Sequence, residues 1–531
     1  MSVDQPTQIE AITAGYAFDG SSILLGAAVA DGAPVAEAVV ALPLSSMNRH
    51  GLIAGATGTG KTVTLQLMAE QLSAAGVPVF LADVKGDLSG LATASPGHAK
   101  IDSRMQSLAQ PWEPTDYPVE FLRLGSEGSG VPVRATVSAF GPILLAKILG
   151  LNDTQESSLG LVFHYADKNG LALLDLKDLQ AVVQHLVSDE GRADVKSLGG
   201  LASSTAGVIL RELIALSDQG AQDFFGEPEF EAADLLRTTE DGLGVITALE
   251  LPSVRDRPVV FSTFLMWLLA ELFQDLPEVG DQDKPSLVFF FDEAHLLFDD
   301  ASKAFLDAVE LAVRLIRSKG VGVFFVTQAP TDVPDGVLAQ LGNRVQHALR
   351  AFTPNDAKAL KATVSTFPTS DYDLAEALTS LGTGEAIVTV LSEKGAPTPV
   401  AWTMLRAPQS TMGPSEVGVL DAAVAASPLT GKYAEALDRE SAYETLSARL
   451  TPTPQPDEGS DPDEQPQADE HPHTSKQPRR GGSVEEADES IVDQVVGSSA
   501  FRSMMRSAGT VIGREISRGI FGTAKRRSRK R

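Results

Sequence analysis

The chain contains no cysteine, which excludes disulfide staples and thiolate metal sites. Basic residues are in deficit. There are 43 Lys and Arg against 70 Asp and Glu, for a formal net charge of −27. That balance argues against a surface coated with nucleic-acid contacts, but it leaves room for a narrow basic channel at the centre of an oligomer. There is no targeting pattern at the N-terminus: Met1 to Glu10 is polar and has no basic start ahead of an apolar run. Long hydrophobic runs are missing too. The longest outside the expected core strands, near Phe261 to Phe273, is interrupted by Ser262, Thr263 and Glu271 and is too short to span a bilayer. These absences predict a soluble, cytoplasmic protein. Residues 451–475 lack Lys and Arg altogether and carry seven carboxylates, from Asp457 to Glu470. Residues 500–531 reverse this, with ten Lys or Arg against the single Glu515. Such polarity within one tail points to contact with a partner, a membrane or nucleic acid.

What is present is more specific. Gly55-Ala56-Thr57-Gly58-Thr59-Gly60-Lys61-Thr62 fits G-x-x-x-x-G-K-[ST] at every fixed position. The apolar run Leu52-Ile53-Ala54 before it reads as a strand, and Val63 to Leu72 after it reads as a helix. The glycines let the backbone curl until successive N–H groups face phosphate oxygens. A helix starting near Gly60 adds the positive end of its dipole. In this pattern Lys61 reaches the β- and γ-phosphates of ATP and the Thr62 hydroxyl ligates Mg²⁺.

A second run supports the first. Leu287-Val288-Phe289-Phe290-Phe291 reads as a buried strand ending in Asp292-Glu293-Ala294-His295. An apolar strand with two carboxylates at its C-terminal edge suits a phosphate loop: Asp292 holds Mg²⁺, directly or through water, and Glu293 polarises an attacking water as general base. Two carboxylates favour hydrolysis over nucleotide storage or phosphoryl transfer to a substrate.

Along the chain, 1–48 is a short N-terminal β element with runs at Ser22 to Ala30 and Val35 to Leu42. The ATPase core starts near Arg49 and its first part extends to 139, with a second strand at Val77 to Ala82 and another around Phe121 to Leu124. Residues 140–240 read as a helical insertion, with helices over Ile143 to Leu149, Gln155 to Asp167, Leu176 to Leu186 and Ala206 to Leu216, the last capped by Ser203-Ser204-Thr205. The second part of the core, 241–410, resumes with strands at Gly244 to Leu251, Leu287 to Phe291, Val321 to Thr327, Val345 to Ala351 and Glu385 to Leu391. Strands alternating with helices predict an α/β fold with a mainly parallel sheet. After Pro408 the chain is expected to leave the core, with 411–490 a largely disordered linker. Residues 491–531 regain apolar spacing beside Arg502, Arg506, Arg514 and Arg518, which predicts a basic amphipathic tail.

These motifs, in this order, resemble the HerA/FtsK superfamily of hexameric ATPases. The resemblance rests on Arg49-His50-Gly51-Leu52-Ile53-Ala54-Gly55, Asp83-Val84-Lys85-Gly86-Asp87-Leu88 and Leu287 to His295, and covers roughly 20–410. Ile148-Leu149-Gly150-Leu151-Asn152-Asp153-Thr154-Gln155 is similar to the start of the insertion in the HerA-like branch, closest to bacterial YjgR-type proteins. The resemblance implies a RecA-like P-loop NTPase that forms a homo-oligomeric, hexameric ring and moves along double-stranded DNA. It also implies that Gln328, at the end of Val323-Phe324-Phe325-Val326-Thr327, contacts the γ-phosphate or the water. An arginine finger from the neighbouring subunit is implied as well. Arg344 and Arg350 fit that role best, ahead of Arg314 and Arg317. Asp83 and Lys85 lie at a strand end on the nucleotide edge. Asp292 to His295 also spells the box of the DEAH helicases, but those carry two RecA-like domains and only one is read here. The N-terminal element is shorter than the archaeal HerA barrel, and FtsK's membrane anchor and winged-helix domain are not seen.

The leading expectation is therefore an Mg-ATP-dependent ring motor acting as a DNA translocase or helicase. The alternatives are an ATPase acting on a protein or an anionic membrane-associated complex through the basic tail, and a nucleotide-gated binding module without motor activity.

Overall fold

Residues 7–450 are described by a computed structural model, apart from 255, 256, 281, 300 and 302. The expectations for 451–490 and 491–531 lie outside the described residues. Twelve strands form one sheet: β1 (Ser22–Ala30), β2 (Ala33–Pro43), β3 (Gly51–Ala54), β4 (Val79–Asp83), β5 (Val119–Leu124), β6 (Val131–Val133), β7 (Ile246–Glu250), β8 (Leu287–Phe291), β9 (Val321–Thr327), β10 (Asn343–Gln346), β11 (Glu385–Thr389) and β12 (Ala401–Leu405). Their order is β2-β1-β12-β11-β10-β3-β9-β8-β4-β7-β5-β6. From β10 to β6 all seven pairings are parallel. From β10 to β2 the four pairings are antiparallel. The sheet is mainly parallel, as expected, and the β1–β2 hairpin continues it through β12.

The central strands are buried on both faces, so they read as unbroken apolar runs rather than alternating ones. Successive side chains still point to opposite faces. Phe289 and Phe291 pack with Phe80 and Phe325 in one layer. Val288 and Phe290 pack with Val79, Leu81 and Phe324 in the other. Ring pairs such as Phe290–Phe324 at 5.2 Å and Phe291–Phe325 at 5.6 Å tie neighbouring strands together. The helix Lys61–Ala74 covers the second face through Leu65, Met68, Ala69 and Leu72. Helices Pro258–Asp275 and Lys303–Ile316 cover the first.

Between β6 and β7 the chain forms helices Val137–Ile148, Asp153–Lys168, Leu176–Val187, Gly191–Val195 and Ser203–Asp218, which share the first face's core. Asn152 and Gln155 close a capping box on the second of these. The predicted cap Ser203-Ser204-Thr205 is not one: the helix includes Ser203, and Ala202 stands at the N-cap with no side-chain bond. Those hydroxyls fall one to three positions too late. No single helix among the described residues is long and apolar enough to cross a membrane.

Two further expectations need correction. The strand predicted over Val345 to Ala351 ends at Gln346. Beyond it the apolar run continues because the backbone turns against the phosphate loop, with His347 N–H donating to the Ala54 carbonyl at 2.7 Å. The chain also does not leave the core at Pro408. Residues 417–450 hold helices Val417–Ala426, Pro428–Tyr433 and Ala442–Leu450. Tyr433 is fully buried, lies 5.2 Å from the Phe230 ring, and donates its hydroxyl to Asp234. Ser441 bonds Asp178, and the Tyr443 N–H donates to the same carboxylate at 2.9 Å. The partners of Tyr433 and Tyr443 lie 202 and 265 residues earlier in the chain.

Candidate active site

The phosphate loop leaves β3 at Ala54 and is pinned on three sides. Gly55 N–H donates to the Thr327 carbonyl of β9 at 3.2 Å, and Ala56 N–H to that of Ala348 at 2.8 Å. The Thr59 carbonyl accepts from Gly384 N–H, just before β11, at 3.0 Å. Within the loop, Thr59 Oγ1 donates to the Ala56 carbonyl at 2.7 Å. Gly55 is required by space: a Cβ there would lie 2.5 Å from His347 Cβ. Gly60, at φ +114°, caps the helix Lys61–Ala74 in a conformation that other residues rarely adopt. Thr57 and Gly58 form the exposed tip, and Thr62 is half-buried in the helix's first turn. Lys61 is buried, its Nζ donating to the Gly55 carbonyl at 2.7 Å and the Ala56 carbonyl at 3.3 Å. Burial pulls the Lys61 ammonium below its usual pKa, opposed by Glu293, Asp292 and Asp332 and assisted by Lys85.

The two carboxylates come from β8, two strands over from β3. Asp292 is buried, and its Oδ1 has no hydrogen-bond partner. Its Oδ2 lies 3.3 Å from Lys85 Nζ. Burial raises the Asp292 carboxyl and Lys85 opposes the rise. Glu293 sits at φ +48°, in left-handed backbone unusual for a glutamate. Its Oε1 is 2.6 Å from Lys85 Nζ. Its Oε2 is 3.2 Å from His295 Nδ1, within ion-pair range but without hydrogen-bond alignment. Burial pushes the Glu293 carboxyl up, but Lys85, His295 and Lys61 outweigh it and hold it below the usual range. Lys85 arrives from the turn after β4, which Asp83 shapes: the Asp83 carboxylate accepts the N–H groups of Lys85, Gly86 and Leu88 at 2.7–3.0 Å.

Gln328 directly follows Thr327, the β9 residue paired with Ala54, so it stands beside the loop at the same sheet edge with its side chain exposed. Asp332 holds this corner by accepting from Thr327 Oγ1 and Ala329 N–H, both at 2.8 Å. Arg344 is apart from the cluster. It pairs with Leu52, two residues before the end of β3, and its guanidinium donates to Thr366 of its own chain. Arg350 is nearer, with a long 3.5 Å contact from Nη2 to the Thr57 carbonyl.

Sequence reasoning missed His347. It is fully buried under the loop, with Nε2 2.9 Å from Thr64 Oγ1. Burial, aided by the charge of Lys61, lowers its pKa to about 4, so it is a neutral strut. Only its place after a strand could have hinted at this.

The residues fit a nucleotide with its metal. The loop presents an open tip at a helix N-terminus, and the buried, unpartnered Asp292 Oδ1 is an acceptor suited to a Mg²⁺ ion or its water.

The family model described as Helicase HerA-like C-terminal matches residues 30–530. Curated relatives include the DNA double-strand break repair helicase HerA of Sulfurisphaera tokodaii, 23% identical over 356 residues, covering 66% of this chain and 64% of that protein. The protein of the same name from Sulfolobus acidocaldarius is 21% identical over 355 residues, with the same coverage. The chain thus spans somewhat less than two thirds of these relatives' length. Among solved structures, the plasmid coupling protein TrwB in complex with ADP and Mg²⁺ is similar at 17% identity and TM-score 0.49, covering 74% of this chain and 96% of that one. VirB4 of Thermoanaerobacter pseudethanolicus is similar at 14% identity and TM-score 0.44, covering 76% and 99%.

Proposed function

Since the chain belongs to the helicase HerA-like C-terminal family, we propose that it is an Mg-ATP-hydrolysing motor of the HerA/FtsK type that works as a ring on DNA. The observation that carries the hydrolytic part is the carboxylate pair directly after β8: buried Asp292 with one free oxygen, and Glu293 beside it, at the same sheet edge as Lys61. The loop N–H groups and Lys61 bind the phosphates and stabilise charge as the γ-phosphoryl is transferred. Thr62 and Asp292 would hold Mg²⁺, which when bound would neutralise phosphate charge. Glu293 takes the proton of the attacking water, and Gln328 orients that water from the neighbouring strand end.

The DNA part is supported by the relatives, which are named as DNA double-strand break repair helicases. The test is ATP turnover of the full chain with and without duplex DNA at fixed, stated salt, since polyanion binding is salt-dependent. Duplex DNA is expected to raise turnover severalfold. Turnover indifferent to DNA but raised by anionic vesicles would replace DNA with a membrane-associated substrate. Tight ATP binding with no turnover would make the protein a nucleotide-gated binding module.

Arg344 is the proposed arginine finger, acting on the neighbouring subunit's nucleotide. Its guanidinium would have to leave Thr366 to do so. Arg344→Ala is expected to bind ATP normally and hydrolyse it at least about tenfold more slowly, since a finger contributes up to 10³–10⁵. Mixing it with Lys61→Ala subunits should restore some turnover at mixed interfaces. Normal Arg344→Ala activity would transfer the role to Arg350.

A further inference from the structure

Asp292 and Glu293 follow one another at the end of β8, and Lys85 Nζ bridges their side chains, 2.6 Å from Glu293 Oε1 and 3.3 Å from Asp292 Oδ2. Its delivery is built into the fold. β4 lies beside β8, with Ala82 paired to Phe291, so the turn after β4 emerges next to Asp292. Asp83, with no exposed surface, accepts three N–H groups from that turn. Gly86, at φ +73°, lets the turn close. The lysine side chain is 35% exposed where the carboxylate of Asp292 is wholly buried, so it reaches in from the open side.

We propose that Lys85 is a positioning residue for ATP hydrolysis: it fixes the Glu293 carboxylate against the Asp292 carboxylate so that the base faces the attacking water. This rests on the reading of Glu293 as the base. Lys85 itself need not touch the nucleotide. Glu293 has a second neighbour, His295, but that contact lacks hydrogen-bond alignment, so the Lys85 ammonium is the group that sets the rotamer. A base displaced by about 1 Å can lose roughly 10²-fold in rate, so removal of Lys85 acts on turnover and leaves the phosphate loop intact.

The test uses the full chain with four variants: Lys85→Ala, Lys85→Arg, Glu293→Gln and the double variant Lys85→Ala/Glu293→Gln. Each is measured for steady-state turnover with Mg-ATP and for affinity with a non-hydrolysable ATP analogue. Lys85→Ala is expected to lower kcat about 10- to 100-fold and shift analogue affinity less than about threefold. Lys85→Arg, which keeps the charge, should recover most of the loss. In the Glu293→Gln background the Lys85→Ala change should cost less than about threefold, because a residue that acts through Glu293 has nothing left to position. Equal factors in both backgrounds, or analogue affinity falling in parallel with kcat, would overturn the proposal. If wild type does not hydrolyse ATP, or Glu293→Gln matches wild type, the underlying reading fails instead.

Discussion

Replacing Glu293 with glutamine is expected to slow ATP turnover by roughly 10²-fold or more while ATP stays bound, the scale of a lost general base. Glutamine has the same shape and is left without the ability to take a proton. The backbone at this position is strained for a glutamate: φ +48° costs on the order of 1–3 kcal/mol. It is held there by the next residues, with Ala294 N–H donating to the Val326 carbonyl of β9 and Leu296 N–H to the Glu293 carbonyl, both at 2.9 Å. Those bonds belong to the backbone, so the substitution leaves them in place and the melting temperature should barely move. Filter retention of labelled ATP and phosphate release, measured side by side, check the prediction. A variant that neither retains ATP nor slows returns the role of base to Asp292 or His295.

Replacing Lys61 with alanine is expected to remove hydrolysis altogether and weaken nucleotide binding. Losing one preorganised charge at the transferring phosphoryl group costs roughly 10²-fold or more in rate. Lys61 also donates to the Gly55 and Ala56 carbonyls, so the variant loses part of what shapes the loop. Binding should therefore fall along with turnover, in contrast to Glu293→Gln. Titration with a fluorescent ATP analogue and a phosphate-release assay separate the two variants. Near wild-type turnover in Lys61→Ala would place the reaction elsewhere.

Much of the site was legible because its chemistry is local. The phosphate loop is eight consecutive residues, and Asp292 and Glu293 follow directly on an apolar run. The central strands were legible for the same reason: burial on both faces turns β8 and β9 into continuous apolar segments. Two strands escaped. β6 is three residues with a proline in the middle, which argues against a strand by itself. β12, Ala401–Leu405, has the alternating burial of a sheet covered differently on its two faces, over too few residues to stand out. What could not be read was long-range pairing. Lys85 meets Asp292 across 207 residues of chain, and His347 reaches Thr64 across 283. Arg344 illustrates the converse. Its motif neighbours recommended it, but its position in β10, and its bond to Thr366, depend on where that strand joins the sheet. The helices over 417–450 went unread because a few anchors such as Tyr433 find their partners far back, around Phe230 and Asp234.

The central claim is that Lys61, Asp292 and Glu293 form one Mg²⁺-dependent hydrolytic site. Phosphate release from ATP by the purified full chain, with excess Mg²⁺ and again with EDTA, tests it most directly when the Asp292→Asn variant is run alongside. The account predicts steady turnover with Mg²⁺, none with EDTA, and a drop of at least about 10²-fold in Asp292→Asn even at saturating Mg²⁺. Turnover that survives both the chelator and the substitution would contradict it.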